Sequence, residues 1–122
     1  MTKYNAKKVT IDGITFDSNA EGAYYKHLLR LQAAGEVEEF TMQKPYTLLD
    51  SFKHPKTGKT IRAIKYIPDF EVIYSDGRTE VVDIKGMVTP VFAIKAKLFM
   101  FRYQIPLIIL KYKARQNEFV EV

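Results

Sequence analysis

The sequence predicts an α/β protein with a mixed sheet, and three observations predict it. Two stretches of helical apolar period, near 19–34 and 90–103, alternate with stretches of strand period. Asp12-Gly13 and Asp76-Gly77 each sit between apolar strand-like segments, the pattern of a tight β-hairpin. The run "IPLIIL" at 105–110 is apolar on both faces, as an inner parallel strand is. The resulting order is hairpin, helix, three strands, helix, strand.

Each element has a local cause. "KVTIDGITFD" alternates on both sides of Asp12-Gly13 and reads as an N-terminal β-hairpin. Ser18, three residues before Glu21, has the spacing of a helix N-cap with its reciprocal glutamate. The helix that follows carries Ala20, Tyr24, Leu28 and Leu31 on one stripe and stops at Gly35. Residues 37–49 are strand-like and broken at Pro45, and "SFKHPKTGK" reads as a polar loop turning at Thr57-Gly58. A long hairpin is expected over residues 61–85, turning at Asp76-Gly77. Pro90 suits the first turn of a second helix, which places Ile94, Leu98 and Phe101 on one face. Phe119 and Val120 fit a short edge strand. There is no internal repeat or interdomain linker, so residues 1–122 read as a single domain.

Composition narrows the function classes. With 47% hydrophobic and 27% charged residues, the chain has enough apolar material for one core. Its net charge of +5 favours a polyanionic partner. The absence of cysteine excludes disulfides and thiolate metal sites and points to a reducing cytoplasm. "MTKYNAKK" has no apolar stretch behind it, so no signal peptide is expected, and no apolar run is long enough to cross a bilayer. There is no Gly-rich phosphate loop and hence no expected nucleotide cofactor. His27 and His54 lack a second ligand at helical or strand spacing, and His27 reads as packing at the edge of the helical stripe.

The hairpin arms pose a physical problem. Phe70, Val72 and Tyr74 on one arm, and Val81 and Val82 on the other, mark buried strands. Yet Asp69 and Glu71 lie on the first arm, and Asp83 on the second with Lys85 close behind. Unpartnered buried charge is expensive. Residues two apart share a face, so Asp69 and Glu71 can meet Asp83 and Lys85 within one side-chain layer if the register allows. Clustered carboxylates repel unless a divalent cation sits between them, and hard oxygen ligands suit Mg²⁺ or Mn²⁺ over zinc. Lys85 can then orient water or neutralise charge developing on a phosphate. Taken singly, Asp83 and Lys85 also fit a solvated cross-strand pair, and Asp69 a turn residue after Pro68. The combination of Pro-Asp, a hairpin turn, Asp-x-Lys and an upstream helical glutamate favours the metal site.

Those residues carry a resemblance. Pro68-Asp69 followed by Asp83-Ile84-Lys85 resembles the PD-(D/E)XK nuclease motif, and Glu21 resembles that superfamily's upstream helical acid. In detail the chain resembles more closely a phage-borne family of unknown function within that superfamily, through "DGITFDS", "YIPDF", "VDIKG" and "KAKLF", and the likeness covers nearly the whole chain. The resemblance implies a restriction-endonuclease-like αβββαβ core, a mixed sheet flanked by two helices. It makes Asp69, Asp83 and the backbone carbonyl of Ile84 metal ligands, Lys85 the catalytic lysine, and Glu21 a ligand or water-positioning acid. The superfamily includes restriction enzymes, recombination nucleases and Holliday-junction resolvases.

Other residues have two readings. Glu21 can reach the site or cap Ser18 in return. Glu71 is an auxiliary acid or a solvent-facing strand residue. Lys95 and Lys97 meet DNA phosphates or form a solvated helix face, and Gln43 joins the site or is a surface amide. Lys3, Lys7 and Lys8 form a basic arm suited to phosphate contact, or a disordered end.

The expected function is a Mg²⁺-dependent endonuclease acting on DNA, with Mn²⁺ able to substitute. Without a zinc finger or helix-turn-helix, selection by branched or junction structure is expected over selection by sequence. One site per chain makes a homodimer the economical way to cut two strands. The expected setting is phage recombination or DNA processing in a bacterial cytoplasm. The rival expectation is a catalytically inactive DNA-binding or phage-machinery interaction module on the same fold.

Overall fold

The computed structural model describes residues 7–122. In chain order these form β1 (Val9–Ile11), β2 (Ile14–Phe16), α1 (Asn19–Ala33), β3 (Val37–Met42) and β4 (Tyr46–Leu49). Next come β5 (Phe52–Lys53), β6 (Thr60–Ile61), β7 (Ile64–Tyr66), β8 (Phe70–Tyr74) and β9 (Thr79–Ile84). The chain closes with α2 (Pro90–Tyr103), β10 (Leu107–Lys113) and β11 (Glu118–Glu121). No described helix is long and apolar enough to cross a membrane.

Five strands make the main sheet, in the order β11-β10-β9-β8-β3. β9 and β10 run parallel, joined by α2, while the other neighbouring pairs are antiparallel, so the sheet is mixed. The order α1, β3, β8, β9, α2, β10 runs through it as expected, but the chain holds more strands than an αβββαβ pattern. The additions are β11, the β1–β2 hairpin and two further two-stranded pieces, β4–β7 and β5–β6.

Strand pleat divides the core between the two faces. Phe70 pairs with Val82 and Glu71 with Val81 across β8 and β9, so alternate residues point to opposite sides. Phe70, Val72 and Val82 meet Tyr24, Tyr25 and Leu28 of α1. Val81 and Leu107 meet Phe92, Ala96 and Phe99 of α2, together with Tyr46, Leu48 and Tyr66 of the β4–β7 ribbon.

The first hairpin follows its sequence signal. Asp12 (φ 53°) and Gly13 (φ 78°) are both left-handed, as a two-residue turn of this hand requires. The Tyr25 hydroxyl donates to Asp12 Oδ2 at 3.0 Å, tying the turn to α1. Gly22 lets the hairpin lie on the helix: a Cβ there would meet Ile11 Cδ1 at 2.8 Å and Val9 Cγ1 at 3.0 Å.

Three expectations are corrected. Residues 37–49 do not form one interrupted strand of one sheet. β3 joins the main sheet, whereas β4 leaves it to pair with β7 after the left-handed turn at Gln43 (φ 58°). The first arm of the central hairpin begins at Phe70 and not near residue 61, because residues 64–66 are already committed to β4. Residues 51–59 are not simply a loop. Phe52 pairs with Ile61 and Lys53 with Thr60, closing a small hairpin whose turn is braced by the Lys56 and Thr57 N–H groups donating to His54 Nδ1.

The second helix turns the face bearing Ile94, Leu98 and Phe101 outward. With Val91 these residues are exposed, Phe101 to 81%, while Phe92, Ala96 and Phe99 do the packing. α2 is therefore apolar on both sides, and the periodicity could not say which side is the core.

Candidate active site

The acids converge where β8 begins and β9 ends. Asp69 lies one residue before β8, and its Oδ2 accepts the Ile84 N–H at 2.8 Å. That bond draws the two strand ends together beyond their last backbone pair, Phe70 with Val82. In a strand the N–H and C=O of one residue leave the same edge. The Ile84 carbonyl therefore leaves toward the Asp69 side, whereas the Lys85 N–H turns to β10 and donates to Leu110 O at 2.9 Å.

Asp83 is 1% exposed, on the α2 side of the sheet. Its Oδ2 accepts the Tyr66 hydroxyl, and its Oδ1 lies 3.8 Å from Lys85 Nζ, an ion pair too long for a hydrogen bond. Burial raises the Tyr66 pKa, reinforced by the Asp83 charge, so this tyrosine keeps the proton it donates to Asp83. The Lys85 ammonium also sits 4.5 Å from the centre of the Phe92 ring, which fixes it against α2.

Crowding shows in the electrostatics. Burial, the Asp83 charge and hydrogen bonding to Asp83 push the Asp69 pKa up to about 8, with Glu21 adding to the rise and the Ile84 N–H opposing it. Glu21 is raised as well, by burial first and then by Asp17 and Asp83, while the Asp17 backbone N–H and Lys85 pull it down. Glu21 thus feels both Asp83 and Lys85. The forward half of its expected cap is present, since the Glu21 N–H donates to Ser18 Oγ at 3.2 Å.

A cleft of about 280 Å³ opens beside the acids. Glu21, Asp69 and Gln43 line it, with Thr15 and Asp17 from the hairpin side. Gln43 is held there by its left-handed backbone and by its N–H, which donates to the Asp69 carbonyl at 3.3 Å.

The remaining candidates lie elsewhere. Glu71 is buried on the same sheet face as Asp83, two rungs along, so it is not solvent-facing; its Oε2 accepts both Lys44 Nζ, at 3.0 Å, and the Tyr46 hydroxyl. Lys95 donates to the Lys65 carbonyl at 3.1 Å and so ties α2 to β7. Lys97 is exposed on α2, and Lys7 and Lys8 are exposed ahead of β1. Lys3 lies outside the described residues. Tyr66, Tyr46 and Lys44 gave no functional signal in the sequence, because their partners are reached only across strands.

The donor set fits a hard cation. Among the described residues, no three acids or histidines already stand as a metal-holding group. Mg²⁺, however, keeps several waters and binds through one or two carboxylates, and Asp69 and Asp83 supply two whose mutual repulsion it would relieve. No thiolate or imidazole lines the cleft to favour a softer metal.

The family model described as "Protein of unknown function (DUF1064)" matches residues 1–119, and the chain belongs to that family. No curated protein and no solved structure matches it.

Proposed function

We propose that this member of the family is a Mg²⁺-dependent endonuclease that hydrolyses DNA phosphodiester bonds, on a restriction-endonuclease-like core of the PD-(D/E)XK superfamily. The observation that carries the proposal is the crowding of Asp69 against Asp83, with Glu21 and Lys85 around them, beside an open cleft. Asp69, Asp83 and the Ile84 carbonyl would hold the ion, with Mn²⁺ as a substitute. A bound ion polarises a phosphoryl oxygen and lowers the pKa of water. Lys85, steadied between Asp83 and the Phe92 ring, neutralises charge developing on the phosphate. Glu21 shares the cleft with Asp69 and positions water there, and the Gln43 amide offers a donor to a substrate oxygen. The sequence resemblance supports a setting in phage recombination or DNA processing in a bacterial cytoplasm, on branched or junction DNA.

Two-strand cutting calls for two such sites, and a homodimer supplies them. The outer stripe of α2 supports this state. Val91, Ile94, Leu98 and Phe101 form an uncovered apolar line over about three helical turns, and a second copy laid antiparallel would cover it. Sedimentation should show a dimer that Phe101→Glu converts to a monomer.

The test of activity is an assay with Mg²⁺, Mn²⁺ or EDTA on linear, flapped and four-way DNA. Cutting should require the metal and vanish in Asp83→Ala and Lys85→Ala while binding persists. DNA binding without metal-dependent cutting by the wild type would instead mark a catalytically inactive binding module.

A further inference from the structure

Away from the acids, the most concentrated charge lies on the excursion between β4 and β7. Between Asp50 and Lys65 the chain carries Lys53, Lys56, Lys59, Arg62 and Lys65 against one acid, in a protein whose whole net charge is +5. All five cations are exposed. The lone acid is neutralised from outside, since Asp50 Oδ2 lies 3.6 Å from Arg102 Nη2 of α2. Among the described residues, none of the five cations has an acidic partner. Arg78, on the turn of the central hairpin, shows the contrast: Asp76 and Glu80 hold it at 2.8 and 3.8 Å.

The shape of the excursion is as telling as its charge. β4 pairs with β7, and β5 with β6, so the segment is a two-stranded ribbon ending in a tight turn around Gly58. Phe52 and Ile64 stand 45% and 40% exposed among the cations, with no core to join. At the base, Tyr46 and Tyr66 pair with each other and donate to Glu71 and Asp83. The ribbon is thus anchored by its hydroxyls to the strands that carry the acids.

We propose that this ribbon is a duplex-DNA-binding arm, its lysines and Arg62 contacting phosphates and Phe52 packing on the groove wall. A two-stranded ribbon fits the major groove of B-form DNA, and unpaired cations at intervals along it match a polyphosphate better than a single anion. Anchorage through Tyr66 leads the bound duplex toward Asp83. Only that last direction rests on the nuclease reading; binding by the arm stands apart from it.

The experiment measures affinity of the full chain for a labelled 20-bp DNA duplex in EDTA, by fluorescence anisotropy over 50–200 mM salt. Lys53→Ala, Lys56→Ala, Lys59→Ala and Arg62→Ala are combined in one variant, all at exposed positions, with circular dichroism to confirm folding. The variant should bind at least about tenfold more weakly, with a salt slope flatter by about 3 to 4, near one for each phosphate the arm no longer neutralises. Unchanged affinity and slope would overturn the arm. So would wild-type binding to phosphatidylserine vesicles or duplex RNA that equals or exceeds binding to duplex DNA. Arm-dependent binding by a chain that never cuts would sink the nuclease reading alone, and metal-dependent cutting with an arm variant that binds normally would sink the arm alone.

Discussion

Two buried carboxylates lie two rungs apart on the same face of the sheet, and each accepts a tyrosine hydroxyl from the same ribbon. Glu71 takes Tyr46, and Lys44 at 3.0 Å completes its balance of charge. Asp83 takes Tyr66, but around it stand Asp69 and Glu21, and among the described residues Lys85 is the one cation paired with it. The first is a closed pair inside a scaffold. The second gathers three acids around one paired lysine, and burial first, then the Asp83 charge, push the Asp69 pKa up to about 8. Burial alone does not single out an acid; burial with an unbalanced neighbourhood is what makes Asp83 the candidate.

Removing the two acids should separate these roles most widely. Asp83→Asn should reduce metal-dependent cutting by roughly a thousandfold or more, in line with losing a group that stabilises transition-state charge. Glu71→Gln should keep most of the cutting rate but lower stability by about 1–3 kcal/mol, the cost of disturbing a buried polar pair. Single-turnover cleavage and urea unfolding on both variants check this. Equal losses of activity would erase the distinction.

Next in size is a pH effect confined to one of the two regions. Asp69 holds its proton more tightly folded, near 8, than an unfolded aspartate near about 3.9 does. Between those values the folded state binds more protons, so its contribution is present at low pH and is lost as pH rises toward 8. In EDTA, stability should fall between pH 5 and 8 by at most about 1.4 kcal/mol per unit. Asp69→Asn should flatten that slope and Glu71→Gln should not. Excess Mg²⁺ should reduce it in the wild type. Urea melts at half-unit intervals give the answer.

The tyrosines sharpen the contrast further. Tyr66→Phe removes the hydroxyl that orients Asp83 and should raise the half-saturating Mg²⁺ concentration about 10- to 100-fold, as lost support behind a metal ligand commonly does. Tyr46→Phe should leave that concentration within about twofold and cost about 1 kcal/mol of stability. The smallest effect belongs to the seam between the first hairpin and α1. Gly22→Ala would favour a free helix, yet its Cβ would press Val9 and Ile11, so thermal melting should show a net loss of about 1 kcal/mol.

Much of the fold could be read from the chain because its signals are local. The Asp12-Gly13 turn, the Ser18 cap, Gly35 as a stop and Pro90 at the start of α2 are each set by a few neighbouring residues. The departure of β4 from the main sheet is not local. It depends on the left-handed turn at Gln43 and on Tyr46 finding Tyr66 twenty residues later. The outward face of α2 was hidden for a different reason: a helix apolar on both sides has no periodicity to reveal its core. At the site, Asp69 and Asp83 could be chosen because acids at or within apolar strands violate the pattern around them, and Lys85 and Glu21 because they complete the motif those acids begin. Tyr46, Tyr66 and Lys44 violate nothing, since a tyrosine in a strand or a lysine in a turn is ordinary until its partner is seen.

The most direct test is manganese binding followed by electron paramagnetic resonance in the wild type, Asp83→Asn, Asp69→Asn and Glu71→Gln. Wild type and Glu71→Gln should take up the ion with similar affinity, and both aspartate variants should lose it. A wild-type chain that leaves manganese free at millimolar concentration, or an Asp83→Asn chain that binds as tightly as wild type, would contradict the claim that the crowded acids exist to hold a cation.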